Sequence, residues 1–131
     1  MWKRLLGMMF VFLFLYSCSE KQSETEYLQS AYQLYTDEAY EEAIAAFAKI
    51  LEDYPKGEHT SKAMFMIGFI HANYTKNYEE AKKYYNNFIE KYPDDAMVSS
   101  AKYELDNLGK DINELPIFKD LDEEEKVTPE D

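Results

Sequence analysis

From Glu26 onward, apolar side chains return at the three- and four-residue spacing of a helical face. Tyr27, Ala31, Leu34 and Tyr35 fall on one stripe, and Tyr40, Ala43, Ile44, Phe47, Ile50 and Leu51 fall on the next. Thr36 and Asp37 lie between them and offer N-cap chemistry for the second helix. That helix is predicted to run to about Tyr54, where Pro55 and Gly57 stop it. A second hairpin follows, with helices over Ser61–Tyr74 and Asn77–Lys91 and with Thr60 or Ser61 and then Asn77 as their caps. A fifth helix is predicted to begin near Asp94 or Asp95, to carry Met97, Ala101, Tyr103, Leu105 and Leu108, and to end at a Gly109 cap. Period-two alternation of the kind a strand requires is missing, so the pattern predicts an all-α fold.

The two hairpins are copies of each other. Tyr40-Glu41-Glu42-Ala43 returns 38 residues later as Tyr78-Glu79-Glu80-Ala81, and at the same offset Phe47 becomes Tyr85, Ile50 becomes Phe88 and Tyr54-Pro55 becomes Tyr92-Pro93. Ala101 and Tyr103 of the fifth helix answer Ala63 and Phe65, which makes that helix a half repeat. A period of this length marks a stacked solenoid, here of about two and a half repeats, whose units bury their apolar faces only against one another. So short a stack leaves a terminal apolar face in need of a cover. Either Leu115-Pro116-Ile117-Phe118 folds back over the last helix, or a second molecule forms a homodimer there.

The first residues follow different rules. Lys3 and Arg4 precede an apolar run from Leu5 to Tyr16, which at about twelve residues is short of the ~20 a spanning helix needs. Leu15-Tyr16-Ser17-Cys18 comes next and resembles the lipobox of bacterial lipoproteins. The resemblance implies a signal peptide over residues 1–17, cleaved before Cys18, and acyl chains such as palmitate on that cysteine. Several acyl chains anchor a protein stably, since each buried methylene contributes roughly 0.8 kcal/mol. Ser19 stands where an aspartate would signal inner-membrane retention in lipoproteins of this kind, so the resemblance implies the outer membrane. Residues 18–25 then form the lipidated cysteine and a flexible polar tether, 26–110 the helical domain, and 111–131 a C-terminal segment with an acidic, disordered tail.

Charge narrows the partners. The chain carries 14 Lys and Arg against 26 Asp and Glu, and loss of residues 1–17 would remove only Lys3 and Arg4, leaving a net charge of −14. Such a surface repels phosphate backbones and argues against nucleic-acid binding. Cys18 is the only cysteine, which excludes an intramolecular disulfide. His59 and His71, even on one helix, would stand about 120° apart, so shared metal ligation is not expected. The pairs Glu41-Glu42 and Glu79-Glu80 do not face each other on a helix, and their place in a first turn favours a role in complementing the helix dipole. No catalytic group, cofactor or metal site emerges from these residues.

Ala43, Phe47 and Pro55, with Ala81, Tyr85 and Pro93, occupy the register of the second half of a tetratricopeptide repeat, and Met64, Ile67 and Gly68 resemble its first half. The linkers, Tyr54-Pro55 then Ala63-Met64-Phe65-Met66-Ile67-Gly68, resemble the envelope subgroup that includes BamD-like lipoproteins and CpoB-like (YbgF-like) proteins of the Tol-Pal system. In that class the first helix of each unit lines a concave binding face. The resemblance therefore implies a groove of Leu28, Tyr32, Tyr35, Met66, Ile70 and Asn73 that takes envelope proteins or peptides. The expected function is a non-enzymatic, membrane-anchored scaffold of the cell envelope, on the outer membrane and facing the periplasm. The alternative is a small accessory subunit of an outer-membrane assembly or Tol-Pal-type complex.

Overall fold

The computed structural model describes residues 21–110. The predicted leader, Cys18 as the expected lipid acceptor and the segment 111–131, with its Leu115–Phe118 stretch, lie outside the described residues. Within them the chain forms five helices: α1 Glu24–Thr36, α2 Tyr40–Asp53, α3 Thr60–Asn73, α4 Tyr78–Lys91 and α5 Val98–Asn107. Each packs on the next in sequence, with a lesser contact between α3 and α5, as a solenoid of helical hairpins requires. The all-α, two-and-a-half-repeat architecture expected from the sequence is the one observed.

Two cores hold the stack, and α3 serves both. Ala63, Ile67 and Ile70 of α3 join Ala31 of α1 and Ala43, Phe47 and Ile50 of α2 in the first core, all essentially sealed from solvent. Ala72 of α3, Ala81, Tyr85 and Phe88 of α4 and Ala101 of α5 form the second, with Met64, Phe65 and Phe69 of α3 packed against it. A helix with two buried stripes cannot be amphipathic, which is why α3 is apolar nearly all round while α2 and α4 show clear polar faces. Gly68 lets α4 approach, since a Cβ there would stand 3.0 Å from the Tyr85 ring.

The helix ends differ from expectation at four places. Thr36 and Asp37 close α1: the Thr36 hydroxyl donates to the Tyr32 carbonyl, and Asp37 is the C-cap. The N-cap of α2 is instead Ala39, whose side chain has no acceptor to offer. The intervening turn is so short that it spends Glu38 on a left-handed conformation (φ 61°), and Lys76 repeats this 38 residues on (φ 55°). His59, not Thr60 or Ser61, is the N-cap of α3, while Thr60 is buried and donates its hydroxyl to the Tyr54 carbonyl. Asn77 caps α4 as expected, its side chain accepting from the Glu80 N–H at 3.3 Å.

At the other two places whole residues change element. Helix α5 starts at Val98 rather than near Asp94, because Tyr92–Asp95 is a turn closed by the Asp95 N–H on the Tyr92 carbonyl. The same turn at Tyr54–Gly57 precedes α3. Gly109, with φ 76°, follows the C-cap Leu108 and turns the chain off α5. Ser23–Thr25, assigned above to the tether, are the N-cap and first turn of α1: the Ser23 hydroxyl accepts from the Glu26 N–H and the Glu26 carboxylate accepts from the Ser23 N–H at 2.7 Å. This reciprocal pair holds the Glu26 carboxyl below its usual range.

Candidate partner-binding face

The six residues expected to line a groove lie on α1 and α3, which meet through a few side chains and not as a packed helix pair. Lys62 of α3 places its ammonium 5.2 Å from the Tyr32 ring of α1, and the Tyr35 hydroxyl meets that of Tyr74, just past α3, at 2.8 Å. Leu28, Tyr32, Tyr35 and Met66 are each half-buried against the first core. Asn73 is exposed, and its side-chain amide donates to the Phe69 carbonyl.

Ile70 departs from the expected set. Residues at i and i+4 differ by about 40° around a helix, and those at i and i+7 by about 20° in the opposite sense. Taking Met66 as reference, Asn73 turns outward beside Lys62, and Ile70 turns inward to the arc of Ala63 and Ile67, where it is fully buried. The free strip of α3 is therefore Lys62, Met66 and Asn73, with Ile70 supporting it from beneath.

The tyrosines are more occupied than their number suggests. Tyr32 sets its ring edge-on to Phe47, centroids 5.3 Å apart, so it buttresses the first core as well as facing outward. Tyr35 is tied to Tyr74 by a hydrogen bond, and that bond, with burial, pushes its hydroxyl pKa up to about 12. Tyr74 in turn stacks on Tyr40 at 4.3 Å and meets Phe69 edge-on at 6.1 Å. The resulting aromatic knot closes the α1–α2 and α3–α4 turns together and still leaves Tyr74 and Tyr78 more than a third exposed. Tyr74 was not among the expected site residues. It stands where the 38-residue repeat is broken, opposite Thr36, and an aromatic breaking a repeat beside Tyr40 was the available signal.

The remaining titratable groups serve packing. His71 is half-buried, bonds Thr75 through Nδ1 at 3.0 Å and stacks on the Tyr84 ring at 6.1 Å. Burial pushes its pKa down, against the opposing pull of Glu80 and Glu41. His59 contributes its backbone N–H to the Glu24 carboxylate. Among the described residues no three His, Cys, Asp or Glu side chains gather as metal ligands, and no helix is long and apolar enough to cross a membrane.

At the open side of the stack, α4 and α5 form a shallow groove of about 430 Å³ between Tyr78, Lys82 and Asn86 and the side chains of Leu105 and Leu108. A smaller polar notch of about 80 Å³, with Asn73, Lys76, Glu104 and Asn107 in its walls, joins α3 to α5. Neither brings an acid, a base and a nucleophile into mutual reach; what the α1, α3 and α5 side offers is extended contact area with amide, ammonium and hydroxyl donors at its margins.

No curated protein matches the chain. The sequence profile of a family described as an outer membrane lipoprotein, YfiO, matches residues 20–111, a span that takes in all five helices. With that match covering more than half its length, the chain belongs to the YfiO family of outer membrane lipoproteins.

Proposed function

We propose that this chain is a non-enzymatic protein-interaction module of the bacterial cell envelope, held on the outer membrane by acyl chains on Cys18 and facing the periplasm. The observation that carries the reading is the union of a lipoprotein-family match with a short helical-repeat fold whose α1 and α3 side leaves Leu28, Tyr32, Met66 and Asn73 reachable. Repeat stacks of this kind present extended surfaces suited to a peptide or a partner's helix. Tyr32, Tyr35 and Met66 offer large contact area there, with a hydroxyl or an ammonium within reach at each end. Ile70 takes part only by supporting Met66.

The test is chemical crosslinking in intact cells, followed by affinity capture of the C-terminally tagged chain and mass spectrometry. Recovery of barrel-assembly or Tol-Pal components is the expected result. Tyr32→Ala would disturb Phe47, so the cleaner variants are Lys62→Glu and Asn73→Ala on exposed positions. They are expected to abolish capture while the helical signal persists. Capture unchanged by both would overturn the α1 and α3 side as the binding surface.

A second reading is favoured by one observation, the open flank of α5. Leu105 and Leu108 line a groove that no further helix among the described residues covers, and Tyr103 is 55% exposed. As an accessory subunit of an outer-membrane or Tol-Pal-type complex, the chain would dock through this flank. Leu105→Glu would then release it from its complex, and Lys62→Glu would not. A homodimer sealed by the same flank would show itself as a doubled mass in solution.

A further inference from the structure

The residues just before α1 are bound at one end of the bundle. Lys21 places its ammonium 3.5 Å from the Asp53 carboxylate, 3.2 Å from the Asp53 carbonyl and 4.8 Å from the centroid of the Tyr54 ring. The Tyr54 hydroxyl donates to the Gln22 carbonyl at 2.6 Å. One residue into α1, the Glu24 carboxylate accepts the backbone N–H groups of Glu58 at 3.1 Å and His59 at 2.7 Å. Gly57 makes room for it, since any side chain there would overlap that carboxylate. Four consecutive residues, Lys21 to Glu24, are thus fastened to the α2–α3 loop or folded into a helix cap. Lys91, at the end of α4, reaches the Pro55 carbonyl of the same loop, so the α4–α5 side belongs to this end too.

The opposite end holds the α1–α2 and α3–α4 turns, drawn together by Tyr35, Tyr40 and Tyr74, and the C-terminus of α5, where Gly109 lies against the Tyr78 ring. The 14 residues of α2 separate the two ends by about 20 Å. Cys18 precedes Lys21 by three residues, a reach of at most ~11 Å even when fully extended. A tether fixed from Lys21 onward therefore leaves little slack for the domain to tumble over an anchor at Cys18.

We infer that the end of the bundle formed by the α2–α3 loop is the surface turned to the lipid bilayer, and that the Lys21–Glu24 clamp holds it there. The inference rests on the reading of Cys18 as the lipid-bearing residue. It makes the aromatic end, with Tyr74 and Tyr78, the end distal to the bilayer, and puts Lys110 on that same side.

Trp2 is the only tryptophan and lies in the leader, so the processed chain contains none and single-tryptophan variants report without background. Lys56→Trp marks the α2–α3 loop and Glu41→Trp the other end of α2, both at exposed positions. The lipidated protein, processed at Cys18, is reconstituted in phosphatidylethanolamine and phosphatidylglycerol vesicles carrying a headgroup nitroxide, and tryptophan quenching is measured on the floated fraction. Several-fold stronger quenching at position 56 than at 41 is expected. Equal quenching in protein that floats overturns the orientation alone, whereas protein that fails to float overturns the anchor reading beneath it. The triple variant Lys21→Ala, Glu24→Ala and Tyr54→Phe, which removes every side-chain contact of the clamp, should keep flotation and helical content and erase the difference; a difference that persists removes the clamp as its cause.

Discussion

The two repeats put different residues into the same place. Phe47 in the first and Tyr85 in the second stand 38 residues apart, face the same way and are both fully buried. Phe47 receives the edge of Tyr32 and presents nothing polar to its surroundings. Tyr85 buries a hydroxyl that finds no partner among the described residues, and burial, helped by Glu104, pushes its pKa up. The helix starts are exchanged the other way. Ala39 and Asn77 share nearly the same backbone conformation, but only Asn77 has a side chain that caps its helix. The first repeat thus has the better core and the second the better cap. A repeat fixes backbone geometry closely, as the matching C-caps at Tyr54 (φ −132°) and Tyr92 (φ −129°) show, and leaves side-chain chemistry free to differ unit by unit.

Substitutions should expose this exchange. Removing the apolar anchor, Phe47→Ala, is expected to lower stability by about 3–5 kcal/mol in a chemical denaturation series, because a sealed core cannot collapse around the void. Tyr85→Phe should act in the opposite direction and raise stability by about 1 kcal/mol, since it deletes a buried polar atom without changing ring packing. Loss of stability in that variant would show that the hydroxyl is satisfied after all. Exchanging the caps gives the next largest effect: Asn77→Ala should cost about 1 kcal/mol, and Ala39→Asn should recover a similar or smaller amount.

The smallest effect is one of pH. Burial holds the His71 pKa below its ordinary value of 6.5, so the unfolded chain takes up a proton before the folded one does. Its contribution is fully present above about pH 6.5 and declines as the pH falls below it. Thermal melts between neutral and mildly acid pH should show this decline, and His71→Gln should lessen it.

Much of this was legible in the chain. The five helices, their order and the Asn77 cap followed from apolar spacing and turn residues. What failed did so where a local signal was trusted over the repeat. Asp94 and Asp95 look like a helix start, yet the offset from Thr60 to Val98 would have placed it correctly, because the Tyr-Pro turn recurs with its full length. Ile70 looks like a groove residue by its distance from Tyr32, but α3 has two cores to serve and α1 has one, so equivalent positions differ in burial. The start at Ser23 carried a local signal, Ser23 with Glu26 three residues on, whereas the bonds that tie Gln22 and Glu24 to Tyr54 and His59 span some thirty residues, and no periodicity reports such polar contacts. The Tyr35–Tyr74 knot was hidden for the same reason.

The most direct test of the central claim is site-specific photocrosslinking in living cells, with the photoreactive residue placed at Lys62 or Asn73 on the α1 and α3 side and at Ala45 or Asn87 on α2 and α4, all exposed positions. An interaction module working through the first surface predicts discrete adducts with an envelope protein from Lys62 and Asn73 and none from Ala45 and Asn87. Adducts confined to α2 and α4, or absent from all four positions, would contradict it.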